Sequence, residues 1–458
     1  MIRFWILAAI AWGMLAGGSL AQESGGADES EMMEAIPTAT SGPPSVRELY
    51  VRPALESVDI SPSGHYLSYV ITDGVRGQLY VQDLRGEQRQ AVFAFGPGEF
   101  VRTTFRWAVW KSGDRLVVSS TEAGRRAKGS LVIHRFDGSP PQTVDLDRRA
   151  FPTLISSLPG SHDELLLQLE SWEPGLHGDI VKADLRGGGV RLIEENNNAV
   201  SGYFADAAGE IRGRIRHLGH RGRGGAVIER RDVASGRWLV VANLRDAALR
   251  DMPDYEVLAP AGEPNLFYAM KRPEAGEGDT AAVHVLDFSS GVIGPPVWRN
   301  PRYDVSDVIT HPATGDLLAG CYWDDIYRCD FEDPGLQAQF DGLYRFFDDE
   351  RSLSVVGQSD DAARWVLKAS GPDEPGSYYL YDATTRQVDL IGNAYPILPP
   401  DRLGAMRRFD YRARDGQALS GYVTALPGVA KRGLIVLPHG GPERRDTLRY
   451  DPWVQFLA

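Results

Sequence analysis

From about Val46 onward, apolar and polar positions alternate in short runs, and glycine, proline, serine or aspartate interrupts every run. That pattern favours many short strands over long helices. The first clear unit reads SVDISPSGHYLSYVITDGVRGQLYVQDLRGEQRQAVF. It predicts a strand, a tight turn at Ser61-Pro62-Ser63-Gly64, and an alternating strand through Tyr66, Ser68 and Val70. A loop, the strand LYVQDL and a second turn at Arg85-Gly86 follow. Proline preset for a turn and glycine at its end are what a type I turn requires.

The pattern then restarts at intervals of about 45–50 residues, near the period of propeller blades. The later units open with TFRWAVWKSGDRLVVSS, LISSLPGSHDELLLQLE, GYFADAAGEIRGRIRHL, EVLAPAGEPNLFYAMKR, DVITHPATGDLLAGCYW and SVVGQSDDAARWVLKAS. Each leads to a second β-rich run, and an apolar-x-Asp landmark or a close relative recurs at Gln82-Asp83, Ala183-Asp184, Leu286-Asp287 and Tyr381-Asp382. We therefore expect a mainly β chain with a seven-bladed β-propeller over residues 45–398, each blade carrying four strands. Four short antiparallel strands cannot bury both faces alone, but radial stacking covers them. A pair of β-sandwiches is the alternative architecture.

At Pro399 the pattern changes. RLGAMRRFDYRARDGQALSGYVTALP predicts two strands joined at Asp415-Gly416, and GLIVLPHGGP predicts a buried apolar strand running into a glycine turn. Asp451-Pro452 reads as the N-cap and first position of a helix carrying Trp453, Val454, Phe456 and Leu457. Residues 399–458 are thus expected to begin an α/β domain, the first strands of which are all that this chain holds.

The amino terminus has the form of an export signal over residues 1–21: Arg3, an apolar core from Phe4 to Leu15, and the cleavable tripeptide Ser19-Leu20-Ala21. An uncleaved anchor is the competing reading, although Gly13, Gly17 and Gly18 interrupt the apolar stretch. Residues 22–44 are small, acidic and rich in Pro and Gly, which predicts a disordered leader. With no second apolar run of membrane-spanning length, the expected location is periplasmic or extracellular. A net charge of −13 argues against a nucleic-acid partner.

In such a compartment Cys321 and Cys329 are candidates for a disulfide. LLAGCYWDDIYRCDF reads as a hairpin, and a three-residue loop at Asp324, Asp325 and Ile326 would set the two cysteines face to face. A two-residue loop would place them on opposite faces, as two buried thiols. Register, and with it the bridge, stays open at this point.

Three other features are weighed and given no role. His217 and His220 lack accompanying carboxylates or thiols and have arginine neighbours, so no metal is expected. Arg212, Arg214 and Arg216 share one strand face, read as solvated, with a peptide-carboxylate grip as the alternative. The pairs Glu194-Glu195, Asp324-Asp325 and Asp348-Asp349 read as turn residues rather than as a site for an amino group.

Between about Ser352 and Ala458 the runs Ser370-Gly371-Pro372, Tyr378–Asp382, Arg414-Asp415-Gly416, Leu437–Pro442, Arg445-Asp446 and Tyr450–Ala458 follow one another. On these residues the stretch resembles the prolyl oligopeptidase family, particularly its acylaminoacyl-peptidase and dipeptidyl-peptidase-like branches. The resemblance implies a propeller joined to an α/β-hydrolase domain, a serine nucleophile, short peptide substrates and no cofactor. It places an oxyanion-hole donor on the backbone N–H of Gly441, with His439, Gly440 and Pro442 shaping the turn. A fixed backbone donor there would stabilise the charge that acyl transfer builds on a carbonyl oxygen. His439 is expected to be structural rather than a catalytic base. No G-x-S-x-G motif occurs, and in this fold the nucleophile, acid and histidine follow the glycine loop. The triad is therefore expected beyond residue 458, and this chain is expected to be inactive by itself. The rival reading is a non-catalytic periplasmic propeller that acts as a binding or scaffold module.

Overall fold

The structure is a computed structural model. It describes residues 41–86, 88–98, 102–123, 128–148, 150–171, 178–196, 200–218, 225–232, 234–243, 255–274, 276–426, 428, 433–440 and 444–458. The signal and most of the leader predicted above lie outside the described residues, as do His220, Gly441 and Pro442.

Antiparallel meanders dominate. Strands β1 (Leu55–Ile60), β2 (Tyr66–Thr72), β3 (Gly77–Asp83), β4 (Arg89–Pro97), β5 (Arg102–Lys111), β6 (Arg115–Ala123), β7 (Lys128–His134) and β8 (Gln142–Arg148) follow in order through one eight-stranded sheet. Separate four-stranded sheets are made by β9 (Ala150–Ser156) to β12 (Gly189–Glu194) through β10 (Glu164–Ser171) and β11 (Ile180–Asp184), and by β13 (Val200–Ala205), β14 (Ile211–His217), β15 (Ala226–Arg231) and β16 (Trp238–Asn243). A further one comprises β17 (Tyr255–Pro260), β18 (Leu266–Lys271), β19 (Ala282–Asp287) and β20 (Val292–Trp298). Three strands, β21 (Val305–Thr310), β22 (Leu317–Trp323) and β23 (Tyr327–Phe331), form the next sheet. The last four-stranded sheet holds β24 (Ser352–Gln358), β25 (Arg364–Gly371), β26 (Glu374–Asp382) and β27 (Gln387–Asn393). A hairpin of β28 (Ala405–Arg412) and β29 (Ala418–Ala425) stands apart.

This is a mainly β, propeller-type arrangement, but it corrects the expected seven separate four-stranded blades. Five sheets stand alone as blades, because the ladder that begins at β1 continues through β8 instead of ending at β4. One of those five lacks a fourth strand. After β23 the chain turns into helix α2 (Pro334–Phe346), in place of the predicted strand; the shorter α1 (Val46–Leu49) precedes β1. The side chain of Asp333 accepts from the N–H of Leu336 at 2.8 Å, Pro334 needs no partner in the first turn, and Phe340, Leu343 and Tyr344 are buried on one face. No helix among the described residues is long and apolar enough to cross a membrane.

The recurring aspartate has a local cause. Asp83, Asp184, Asp287 and Asp382 each end the third strand of a unit, and each side chain accepts a backbone N–H two residues on, at 2.7–3.0 Å. These are Asx-turns, which stop one strand and start the reversal into the next.

The chain divides into two compact units: residues up to Pro97 with Gln339–Leu437 and Asp446–Ala458, and Gly98–Ala338 with Pro438–Arg445. In the second unit, sheets bury both faces. Leu165 and Leu167 pack with Val117, Leu131 and Ile133, while Leu166 between them points the other way, to Val200 and Ile211. All three leucines are inaccessible to solvent. Each such side chain contributes about 1.5–3 kcal/mol of burial, which is why these strands read as apolar runs instead of alternating. The next interface stacks Phe267 edge-on against Phe288 at 4.9 Å, beside Ile228 and Leu286.

In the first unit, Leu67, Tyr69 and Tyr80 pack against Val366, Tyr378 and Ile391. Two equivalent turns are tied together: Arg364 donates to the carbonyl of Gly64 at 2.6 Å, and the N–H of Asp360 to that of Pro62 at 2.8 Å. Asp59, on β1, lies against β24; a Cβ at Gly357 would sit 2.4 Å from its carboxyl oxygen. Burial pushes the Asp59 carboxyl up to about 7, against one stabilising bond from the N–H of Ile60 at 2.8 Å.

Candidate functional site

The glycine-loop segment singled out above is reached through the β28–β29 hairpin. Its turn is the expected one: Gly416 has φ +89°, a value open to glycine, and its N–H donates to the carbonyl of Ala413 at 2.9 Å. Residues 433–440, however, form no strand. Leu434 is 82% exposed and Val436 75%, where a buried strand was predicted. An apolar sequence becomes a strand only beside a ladder partner, and β28 and β29 pair with each other.

His439 and Gly440 are exposed. The Nδ1 of His439 lies 3.0 Å from the carbonyl of Gly440; since a carbonyl only accepts, Nδ1 carries the proton there. The imidazole is thus engaged with its own loop. A Cβ on Gly440 would meet nothing within 4 Å. The donor assigned to Gly441, and Pro442 with it, lies outside the described residues.

On the far side of that loop, Arg445 meets a hairpin of the same unit. Its guanidinium is 3.7 Å from the carboxylate of Asp325, 3.5 Å from the carbonyl of Trp323, and 5.4 Å from the ring centre of Tyr303. That ring stacks on Tyr322 at 5.5 Å with planes 7° apart, and Tyr322 on Trp298 at 6.3 Å. The close approach of Trp298 needs Gly320, whose Cβ would fall 2.2 Å from the indole.

The hairpin itself is rigidly built. Trp323 pairs with Tyr327, so the loop is Asp324–Ile326, the three-residue alternative, and Cys321 stands opposite Cys329. The two sulfurs are bonded, at 2.02 Å, and both residues are buried. Asp324 accepts from the N–H of Ile326 at 2.8 Å and pairs with Arg328 at 3.0 Å. Asp324 and Asp325 thus have separate tasks, one inside the turn and one facing Arg445. Asp348 and Asp349 both take positive φ at the end of α2 and are turn residues too.

The arginine row on β14 is not a solvated face. Arg214 and Arg216 bind the buried Glu229 at 2.8 and 2.7 Å, Arg212 binds the buried Asp206 at 2.7 Å, and Arg214 lies 4.1 Å from the Trp238 ring centre. Burial raises the Glu229 carboxyl, but the two arginines outweigh it and hold the acid below the usual range. Among the described residues no group of three or more His, Cys, Asp or Glu is placed to hold a metal ion.

Helix α3 (Pro452–Leu457) forms where predicted. Asp451 caps it, accepting from the N–H of Trp453 at 2.7 Å and of Val454 at 3.2 Å. Sequence reasoning missed what holds it. Gln455 is buried; it accepts from the N–H of Gly404 at 2.6 Å and donates to the carbonyls of Pro372 and Gly404 at 2.9 and 3.0 Å. The Tyr450 hydroxyl donates to the carbonyl of Leu49, at the end of α1, at 3.0 Å. Helix α1 is fixed in turn by Arg402, which donates to Glu48, Gly42 and Ile397 at 2.7–3.0 Å. The Arg402 bond holds the Glu48 carboxyl down at about 2. The available signal was the capping box Ser45-x-x-Glu48.

No family model matches the chain. Among curated proteins it is similar to dipeptidyl aminopeptidase BIII of Pseudoxanthomonas mexicana, 28% identical over 433 residues, which is 90% of this chain and 58% of that protein. It is also similar to dipeptidyl peptidase family member 6 of Caenorhabditis elegans, 28% identical over 131 residues, 23% of this chain and 18% of that protein. The chain thus spans little more than half the length of the first of these relatives. Two solved structures share its fold at a TM-score of 0.52: a prolyl endopeptidase, 11% identical, and prolyl oligopeptidase B from Galerina marginata, 10% identical. Each covers 88% of this chain, which covers 59% and 58% of them. These likenesses support the resemblance of the chain to the prolyl oligopeptidase family.

Proposed function

We propose that this chain supplies the propeller and the oxyanion-loop segment of a serine peptidase that hydrolyses short peptides. The observation that carries the reading is the likeness to dipeptidyl aminopeptidase BIII across 90% of the chain. Residues from Pro399 open an α/β-hydrolase domain, Gly441 donates to the oxyanion, and His439, Gly440 and Pro442 shape that turn. The nucleophile, acid and histidine are supplied by sequence that the 458 residues do not contain, since no G-x-S-x-G occurs in them. The exposed run from Leu434 to Leu437 supports this, because it has the composition of a strand buried in a larger sheet. Export to an oxidising compartment belongs to the same proposal, and the Cys321–Cys329 bridge supports it.

The test compares this chain with the product of its extended reading frame. A fluorophosphonate probe should label a serine in the longer protein alone, and only that protein should cleave chromogenic dipeptide substrates. A labelled serine in the 458-residue chain, or an unreactive longer protein, would overturn the proposal.

A further inference from the structure

We infer that Arg445 is the positioning residue of the oxyanion loop, and that the disulfide-closed hairpin of β22 and β23 is the seat on which it holds that loop. The inference rests on the role proposed for Gly441, and its structural half stands apart from that role.

Four observations lead to it. First, Arg445 follows the His439–Pro442 turn within a few residues, so fixing its guanidinium fixes one end of the loop. The β28–β29 hairpin, on the other side, is joined to the loop through a stretch in which residues 433–440 are exposed and make no ladder. Second, the guanidinium is met in three different ways at once: by the charge of Asp325, the carbonyl of Trp323 and the face of Tyr303. A planar cation suits that combination, and an ammonium would lose the stacking. Third, the receiving surface is stiffened from behind. The column Tyr303, Tyr322 and Trp298 backs the ring under Arg445. The Cys321–Cys329 bond and the Asp324–Arg328 pair hold the turn that presents Asp325. Fourth, Asp325 and Trp323 have no part in the chemistry proposed for the loop, so their arrangement needs another reason.

An oxyanion donor is effective only if it is already aimed where charge will develop, and loose loops aim poorly. The hairpin of one blade thereby becomes a fixed reference for a backbone N–H more than a hundred residues later. The prediction is specific: residues on the hairpin should affect turnover although they touch no substrate.

Two measurements separate the structural half from the catalytic half. A spin label is attached at Gly440→Cys in the 458-residue chain under non-reducing conditions, and its mobility is compared in Arg445→Gln, Asp325→Asn and Tyr303→Leu backgrounds. Docking predicts a roughly two-fold or greater shortening of the label's correlation time in all three; unchanged mobility overturns the seat. In the longer, active protein without the label, Arg445→Gln and Tyr303→Leu should each lower kcat about 10-fold with KM unchanged, and Arg445→Lys should restore only part of it. Mobility that rises while kcat stays constant would overturn the positioning role. If the longer protein hydrolyses nothing, the functional reading falls, and the spin-label result decides the seat by itself.

Discussion

Asp59→Asn should stabilise the chain, and by an amount that grows with pH. The Asp59 carboxyl is pressed against Gly357 and raised by burial from 3.8 to about 7. Its folded-state value lies above the unfolded one, so the sign is fixed. At low pH, below 3.8, both states are protonated and the group costs nothing. Between 3.8 and about 7 the unfolded chain ionises while the folded chain stays neutral, and stability falls with rising pH; above 7 the whole penalty is present. At about 1.4 kcal/mol per unit the full shift corresponds to roughly 4 kcal/mol, and because Asp59 is half-buried rather than sealed, about 2–4 kcal/mol is the working figure. Asparagine keeps the shape and the acceptor for the N–H of Ile60 but cannot ionise. Urea unfolding of both proteins, followed by tryptophan fluorescence from pH 4 to pH 8.5, isolates this group because the other titrations cancel in the difference. The gap should be near zero at the acid end and widen through neutrality. A gap independent of pH, or a less stable variant at pH 8.5, would refute the reasoning.

Other expectations follow from the same geometry. Leu166→Ala, in the sheet buried on both faces, should cost about 2–5 kcal/mol in denaturant unfolding, with the larger value if the site cannot collapse. Gln455→Leu leaves the N–H of Gly404 and two carbonyls without their partner, so chymotrypsin should release the segment after β29 several times faster than in the parent chain. Arg402→Ala strips the partner from Glu48 and should lower the thermal midpoint by several degrees; an unchanged midpoint would show that α1 is held by other contacts. Removing the bridge with Cys321→Ser and Cys329→Ser together should lower the denaturant midpoint, by about 2–4 kcal/mol on the usual scale for disulfides.

The blades were legible because their punctuation is local. An aspartate that accepts an N–H two residues on, as Asp83 and Asp287 do, needs no distant partner to form its turn, so it marks the strand end in sequence. The same holds for Asp451 and Pro452 at α3. Helix α2 was misread as a strand although Leu336, Phe340, Leu343 and Tyr344 carry helical spacing, because the repeat supplied a stronger expectation than the segment itself. The run Leu434–Leu437 shows the opposite limit: composition reports what a strand would bury, whereas pairing depends on neighbours. The contacts made by Arg445, Gln455 and Arg402 were invisible for a related reason. Each of the three is a polar residue whose partners lie far along the chain, such as the carbonyl of Gly42 for Arg402, and no spacing rule connects them.

The tie between Arg364 and the carbonyl of Gly64 spans 300 residues of chain. A ribosome adding about 5–20 residues per second makes Gly64 some 15–60 seconds before Arg364. Throughout that interval β1 to β3 exist while Val366, Tyr378 and Ile391, which cover their apolar face, do not. The first strands to be synthesised therefore wait about 300 residues for their cover, and their fate in the cell is set by whatever shields that face in the meantime. A holdase acting on the nascent amino-terminal sheet would raise the yield of folded protein without touching the finished molecule. Slowing synthesis between the two segments would lengthen the exposure and lower that yield.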